Sequence, residues 1–162
     1  MNEIIKVGMA DMNLCEPPNG ITTLGLGSCV GIVLYDVRTK LSGMVHIMLP
    51  DSTKIKNNIN RAKFADTGIC DMLNMMVRRG SFKDNIVAKI AGGAQMFSYG
   101  SANSEVMRVG ERNVEAVKHI LAQARIRIIA EDTGLNYGRT IVFDPATGNL
   151  IIRAVGKPEK II

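Results

Sequence analysis

The sequence predicts an α+β fold of mixed or antiparallel β-sheets, built largely from hairpins and flanked by two main helices, in a single domain spanning residues 1–162. Three observations predict it. Short apolar, β-branched runs recur along most of the chain, bounded by turn-forming residues. Only two longer stretches carry apolar residues at helical spacing. The strands do not alternate regularly with helices, as a parallel α/β sheet would require. At 162 residues the chain has the usual size of one domain. Its 46% apolar content suffices for a core, which must be aliphatic because only 4% is aromatic and Trp is absent. The ten Met residues fit irregular gaps in such a core, or an adaptable binding surface.

Taken in order, residues 5–9 form a short first strand and residues 15–20, with Pro17-Pro18-Asn19-Gly20, a loop. Residues 21–26 are apolar and β-branched, and Gly25, Gly27 and Ser28 force a tight turn before Cys29. Residues 30–35 (VGIVLY) read as a buried strand, 37–40 as a polar turn, and 43–49 (GMVHIML) as a returning strand ended by Pro50. The polar stretch 51–60 reads as a loop. An amphipathic helix follows over 61–79, with Phe64, Ala65, Ile69, Met72, Leu73 and Met76 on its apolar face and Gly80 at its end. Residues 86–90 are a strand. Asn113 is suited to cap a second helix whose stripe is Val114, Val117, Ile120, Leu121 and Ala124. Alternation over 125–130 marks a partly exposed strand. Residues 140–143 and 150–155 flank Asp144-Pro145-Ala146-Thr147-Gly148-Asn149 as a terminal hairpin.

Composition narrows the function classes. The formal charge of +5 favours an acidic partner. However, the basic residues are scattered and no aromatic residues interleave with them, which argues against nucleic acid. Three cysteines, an odd number, argue against a disulfide framework, and two His without a CxxC argue against a cysteine-rich zinc site. No apolar run reaches the length needed to insert into a bilayer, and the N-terminus lacks a signal-peptide pattern. The expectation is a cytoplasmic protein with free thiols and no metal.

Among candidate nucleophiles, Cys15 in a loop and Cys70 in the first helix read as inert small side chains. Cys29 differs because Gly25, Gly27 and Ser28 lead up to it. Small residues let the backbone turn and leave N–H groups uncovered, as an oxyanion hole requires. The same segment also reads as an ordinary loop. It does not read as a phosphate loop, because a strand and not a helix follows. A thiol of pKa about 8.5 needs a base. His119 lies on the polar face of a helix and reads as solvated. His46 lies between Val45 and Ile47 in an apolar strand, which suits either a core histidine or a base.

Geometry bears on that choice. If 37–40 is the loop of a regular hairpin, Gly31 faces His46 and Cys29 faces Met48. Cys29 and His46 then share a face as diagonal neighbours, with Cβ atoms roughly 7 Å apart. Moving the loop back by one residue at each end pairs them directly. A one-residue bulge puts them on opposite faces. VGIVLY is too uniformly apolar to fix the register.

With Thr23, Cys29 and His46 in view, the sequence resembles the chemoreceptor glutamine deamidases of bacterial chemotaxis, the CheD family. Residues 23–30 (TLGLGSCV) resemble that family's nucleophile motif and residues 43–50 (GMVHIMLP) its histidine motif. Further matches are Lys63-Phe64-Ala65-Asp66, Lys89-Ile90 with Gly92-Gly93-Ala94, Gly110-Glu111-Arg112-Asn113 and Gly138-Arg139. The resemblance spans almost the whole chain and departs at Leu135, where a second Gly after Gly134 is expected.

The resemblance implies Cys29 as nucleophile, His46 as base and Thr23 as the residue orienting the histidine, and the nucleophile loop with Gly27 and Ser28 is expected to hold the oxyanion through backbone N–H groups around Gly27 to Cys29. The implied reaction converts glutamine side chains on chemoreceptors to glutamate and ammonia without a cofactor. It also implies a CheC phosphatase partner, and a rival role as a regulatory protein that acts by binding alone. A cysteine peptidase is a third reading that no feature of the sequence supports. Size alone points to a monomer.

Overall fold

A computed structural model of the chain describes residues 1–96 and 108–162. Ten strands and two α-helices are formed by these residues. Along the first half run β1 (Ile4–Val7), β2 (Met12–Cys15), β3 (Gly20–Leu26), β4 (Val30–Asp36) and β5 (Ser42–Ile47). Then come α1 (Ala65–Arg78), β6 (Ile86–Gly92), α2 (Val109–Gln123) and β7 (Arg127–Thr133). The chain closes with β8 (Arg139–Asp144), β9 (Asn149–Arg153) and β10 (Lys160–Ile161). One sheet has the order β1-β3-β8-β9-β10 and the other β2-β5-β4-β6-β7. Both are mixed, since β1 runs parallel to β3 and β6 parallel to β7. The α+β class expected from the sequence is therefore the observed one. Hairpins join β4 to β5, β8 to β9 and β9 to β10. The other pairings bring together strands distant in the chain or, for β6 and β7, separated by α2.

Three layers result, and β4 shows why. All seven of its residues are buried. Val30, Ile32 and Leu34 join a core with Ile69, Met72, Met76, Val117 and Leu121 of the helices. Cys29, Val33 and Tyr35 join a second core with Ile21, Leu26, Ile141 and Phe143 of the other sheet. A strand covered on both faces has no polar side, hence the uniform VGIVLY. Tyr35 meets Phe143 edge-on across the sheets, with ring centroids 5.2 Å apart.

Several boundaries differ from expectation, each for a tertiary reason. Residues 12–15, of which only Cys15 falls in an expected element (the loop over 15–20), form β2, an edge strand paired to β5 with Cys15 opposite Ser42. The first helix starts at Ala65 and not at Arg61, because Phe64 is extended and bridges Leu49. Residues 61–63 form a separate 3-10 turn whose Lys63 carbonyl accepts from the Met48 and Leu49 N–H groups. Asn113 is not a cap. The second helix begins at Val109, and Asn113 lies inside it with no exposure. The end of the chain adds β10, whose neighbour Ile162 accepts from the buried Lys89 ammonium at 2.7 Å.

Candidate active site

The hairpin register is the regular one. Val30 pairs with Ile47 and Gly31 with His46. One step further places Cys29 beside Met48, so Cys29 and His46 lie on the same face of the sheet as diagonal neighbours. That face is the one covered by the second sheet. Gly31, opposite His46, makes the close approach between sheets possible. A Cβ there would sit 2.8 Å from Ile141 Cδ1, 3.2 Å from Leu26 Cδ1 and 3.6 Å from Thr23 Cγ2.

Through this gap Thr23 reaches His46. Its Oγ1 lies 2.7 Å from His46 Nδ1 and also donates to the Val7 carbonyl at 2.7 Å. A hydroxyl carries one proton. With that proton committed to Val7, Nδ1 must be the protonated ring nitrogen and donate to Oγ1. The lone pair is thereby left on Nε2, which is buried without a hydrogen-bond partner among the described residues. The backbone of His46 is pinned on both sides, its N–H donating to Asp11 and its carbonyl accepting from Ala10.

Thr23 ends the regular part of β3. The register with β8 shifts between Thr23 and Leu26, and Gly25 adopts φ +70° in that bulge. Leu24 is thrown outward while Leu26 returns to the core at zero exposure. The following residues, Gly27, Ser28 and Cys29, all have their carbonyls engaged. Gly27 accepts from the Ala94 N–H at 2.8 Å, and Cys29 from the Gly93 N–H at 2.8 Å. Ser28 accepts from the Asn113 side chain at 2.9 Å. The loop leading to Cys29 is therefore seated on the end of β6 and on α2.

Electrostatics make this a neutral pair at rest. Burial pushes the Cys29 thiol pKa up, and the residue's own backbone N–H draws it partly back down. Burial alone holds His46 below the ordinary imidazole value. Neither shift favours a thiolate–imidazolium ion pair. The arrangement suits proton removal from the thiol as attack begins, with Nε2 as acceptor.

The other expected assignments fall as follows. Cys15 is buried with its pKa pushed up to about 11, chiefly by burial. Cys70 and His119 are exposed on their helices. Among the described residues no group of three or more His, Cys, Asp or Glu converges as a metal site. Nor is any described helix long and apolar enough to cross a membrane. Sequence reasoning missed the contact of Asn113 with the loop leading to Cys29. The signal was present, since residues 113, 117 and 121 share one helix face and the latter two are core residues. The Val7 carbonyl that fixes the threonine proton left no signal, being backbone.

Residues 48–154 match the family described as CheD chemotactic sensory transduction. The chain is 65% identical over 162 residues, all of both chains, to a protein of Lachnoclostridium phytofermentans named probable chemoreceptor glutamine deamidase CheD. It is 53% identical over 163 residues, again the whole of both, to the chemoreceptor glutamine deamidase CheD of Halalkalibacterium halodurans. A probable chemoreceptor glutamine deamidase CheD of Syntrophomonas wolfei is 51% identical over the full length of both chains. These full-length matches include the segments carrying Thr23, Cys29 and His46, which precede the family match.

Proposed function

The chain belongs to the CheD family, and from that premise we propose that it is a chemoreceptor glutamine deamidase acting as a single catalytic unit through Cys29, His46 and Thr23. The observation that carries this reading is the Thr23–His46 hydrogen bond, which leaves a basic Nε2 on the same sheet face as the Cys29 thiol. His46 Nε2 takes the thiol proton while sulfur attacks the amide carbon of a glutamine side chain. Backbone N–H groups of Ser28 and Cys29 hold the resulting oxyanion. Collapse expels the amide nitrogen, which leaves as ammonia with the proton from His46, and a thioester remains. Water gives a proton to His46 and attacks the thioester. The Cys29 sulfur departs and recovers that proton, and the side chain is released as glutamate. The whole cycle uses no cofactor.

The substrate reading follows from the relatives' names together with the formal charge of +5, which suits a glutamate-bearing receptor surface. The same reading takes the protein to act in the cytoplasm, as a monomer on its own and with a CheC phosphatase as a further partner. The test is incubation with the cytoplasmic part of a chemoreceptor, with glutamine-to-glutamate conversion followed by mass spectrometry. Conversion by the wild type should fall about a thousandfold or more in Cys29→Ala and His46→Ala. Binding without conversion by the wild type would favour a purely regulatory protein. Equal conversion by Cys29→Ala would mean a different nucleophile.

A further inference from the structure

Asn113 occupies a place that its chemistry makes costly. It is completely buried in α2, and its side-chain Nδ2 donates to the Ser28 carbonyl at 2.9 Å and to the Met48 carbonyl at 3.0 Å. Both partners are acceptors, so the amide can face them only with its nitrogen. Its own Oδ1 is buried with no partner among the described residues. An apolar residue of similar volume would not strand that oxygen, but it would leave the Ser28 and Met48 carbonyls without this donor, so the two donated hydrogen bonds are what an asparagine supplies here.

Those bonds join the two halves of the site. Ser28 precedes the nucleophile, and Met48 lies two residues beyond His46 on the same strand direction. The helix reaches them because Gly110, one turn earlier, lets its backbone press against the end of β6. A Cβ on Gly110 would stand 2.3 Å from the Ala94 carbonyl oxygen.

The Ser28–Cys29 peptide is trans, since the only cis peptide among the described residues joins Pro17 and Pro18. In a trans peptide the carbonyl and the following N–H point in opposite directions. Drawing the Ser28 oxygen toward α2 thus turns the Cys29 N–H the other way, away from α2, and that N–H also acts on the Cys29 thiol, lowering its pKa. We propose that Asn113 is a positioning residue for deamidation, fixing the Ser28–Cys29 peptide so that the Cys29 N–H is aimed at the oxyanion. The inference rests on Cys29 being the nucleophile and goes beyond it by assigning the element that holds the oxyanion donor.

Two reactions of the same thiol separate this role from a merely structural one. Deamidation passes through an oxyanion. Alkylation of Cys29 by iodoacetamide, a displacement at saturated carbon, needs the thiol and its base but no oxyanion donor. The full-length Asn113→Asp variant replaces both donated bonds with repulsion, and Asn113→Ser removes most of the reach without adding charge. Deamidation of a chemoreceptor cytoplasmic fragment is measured by mass spectrometry, and alkylation at Cys29 by peptide mapping, which resolves it from the exposed Cys70. The kcat of deamidation is expected to fall about ten- to a hundredfold, with KM and the alkylation rate each within about threefold of wild type. If the Asp variant does not fold, the Ser variant gives the reading, since retained alkylation itself reports an intact thiol–histidine pair. A parallel fall of both rates, or an unchanged kcat, overturns the proposal. Failure of the underlying reading shows separately, as deamidation that survives Cys29→Ala.

Discussion

Thr23 on one sheet and His46 on the other are joined at 2.7 Å, and the threonine's only proton is already given to the Val7 carbonyl. The pair therefore does what a carboxylate does for the histidine of other hydrolases in one respect only. It selects the tautomer and fixes the ring, but supplies no negative charge to stabilise an imidazolium. Consistent with that, burial alone sets the direction of the His46 shift.

Thr23→Val should separate these functions. The isosteric methyl keeps the packing but leaves the Nδ1–H without an acceptor, and the tautomer is no longer chosen. The general base contributes about 10²–10⁴ in rate, and a part of that, about ten- to a hundredfold in kcat, should be lost. Thr23→Ser keeps the hydroxyl and should retain most of the activity. Stability should drop by about 1–3 kcal/mol in the valine variant, because a buried donor is left unpaired. Equal kcat for valine and wild type would remove Thr23 from the machinery.

The pH dependence follows from the two shifts. In the proposed mechanism His46 acts as the neutral base, and burial lowers its pKa below 6.5, so the acid limb of kcat/KM should have its midpoint below that value. Activity should thus persist into mildly acidic buffer. Burial raises the Cys29 thiol pKa above its ordinary value, so alkylation of Cys29 should keep climbing in alkaline solution where an ordinary thiol would level off. An alkylation rate flat from neutral pH upward would indicate a preformed ion pair instead.

Gly31→Ala tests the distance between sheets. The added Cβ would lie 2.8 Å from the buried Ile141 Cδ1 and 3.2 Å from Leu26 Cδ1, so the sheets must part locally or the core must repack. Overpacking of this kind costs about 1–3 kcal/mol. Because Thr23 reaches His46 through the same gap, kcat should also fall by about ten- to a hundredfold. Thermal unfolding and deamidation assays check the two effects independently. Stability lost without activity would mean that the strain relaxes away from Thr23.

What the sequence made legible, and what it hid, divides along the same lines. Helical periodicity revealed Met72, Met76, Val117 and Leu121 as core, because each helix keeps one face in water. The β4–β5 register stays open among three in the sequence, since a strand buried on both faces carries no alternation to choose among them. The short β2 leaves no periodic signal, since Met12–Cys15 is a four-residue edge strand paired with β5. For the site, Gly27, Ser28 and Cys29 stood out by composition, and His46 by being polar in an apolar strand. Thr23 was promoted by family resemblance alone, as a threonine in a strand is unremarkable until its partner across the sheets is known. Asn113 reads as a cap in the sequence because capping and burial both use a short amide, and only the helix start at Val109 decides between them. The remaining motifs prove to be supports. Asp66 accepts from the Ser52 N–H and hydroxyl beyond the histidine strand. Arg139 pairs with Asp132 at 3.1 Å and donates to the Gly134 carbonyl, tying down the loop that contains Leu135.

That loop supplies the last prediction. Gly134 and Leu135 are both left-handed, at φ +78° and +61°. The carbonyl of Leu135 accepts from the Gln95 N–H at 2.9 Å, which holds the segment against the end of β6. The conformation is thus the one in which a glycine would sit freely, imposed on a leucine that is 63% exposed and gains little from packing. For an L-residue the left-handed region costs roughly 1–2 kcal/mol. Glycine would remove that cost but lose about 0.5–1 kcal/mol through the greater freedom of its unfolded chain. Leu135→Gly should therefore be stabilising by about 0.5–1 kcal/mol, a rise in Tm of about 2 °C for a chain of this size. Thermal unfolding of the variant beside wild type measures it. A fall in Tm would show that the leucine side chain contributes more contact energy than its exposure allows.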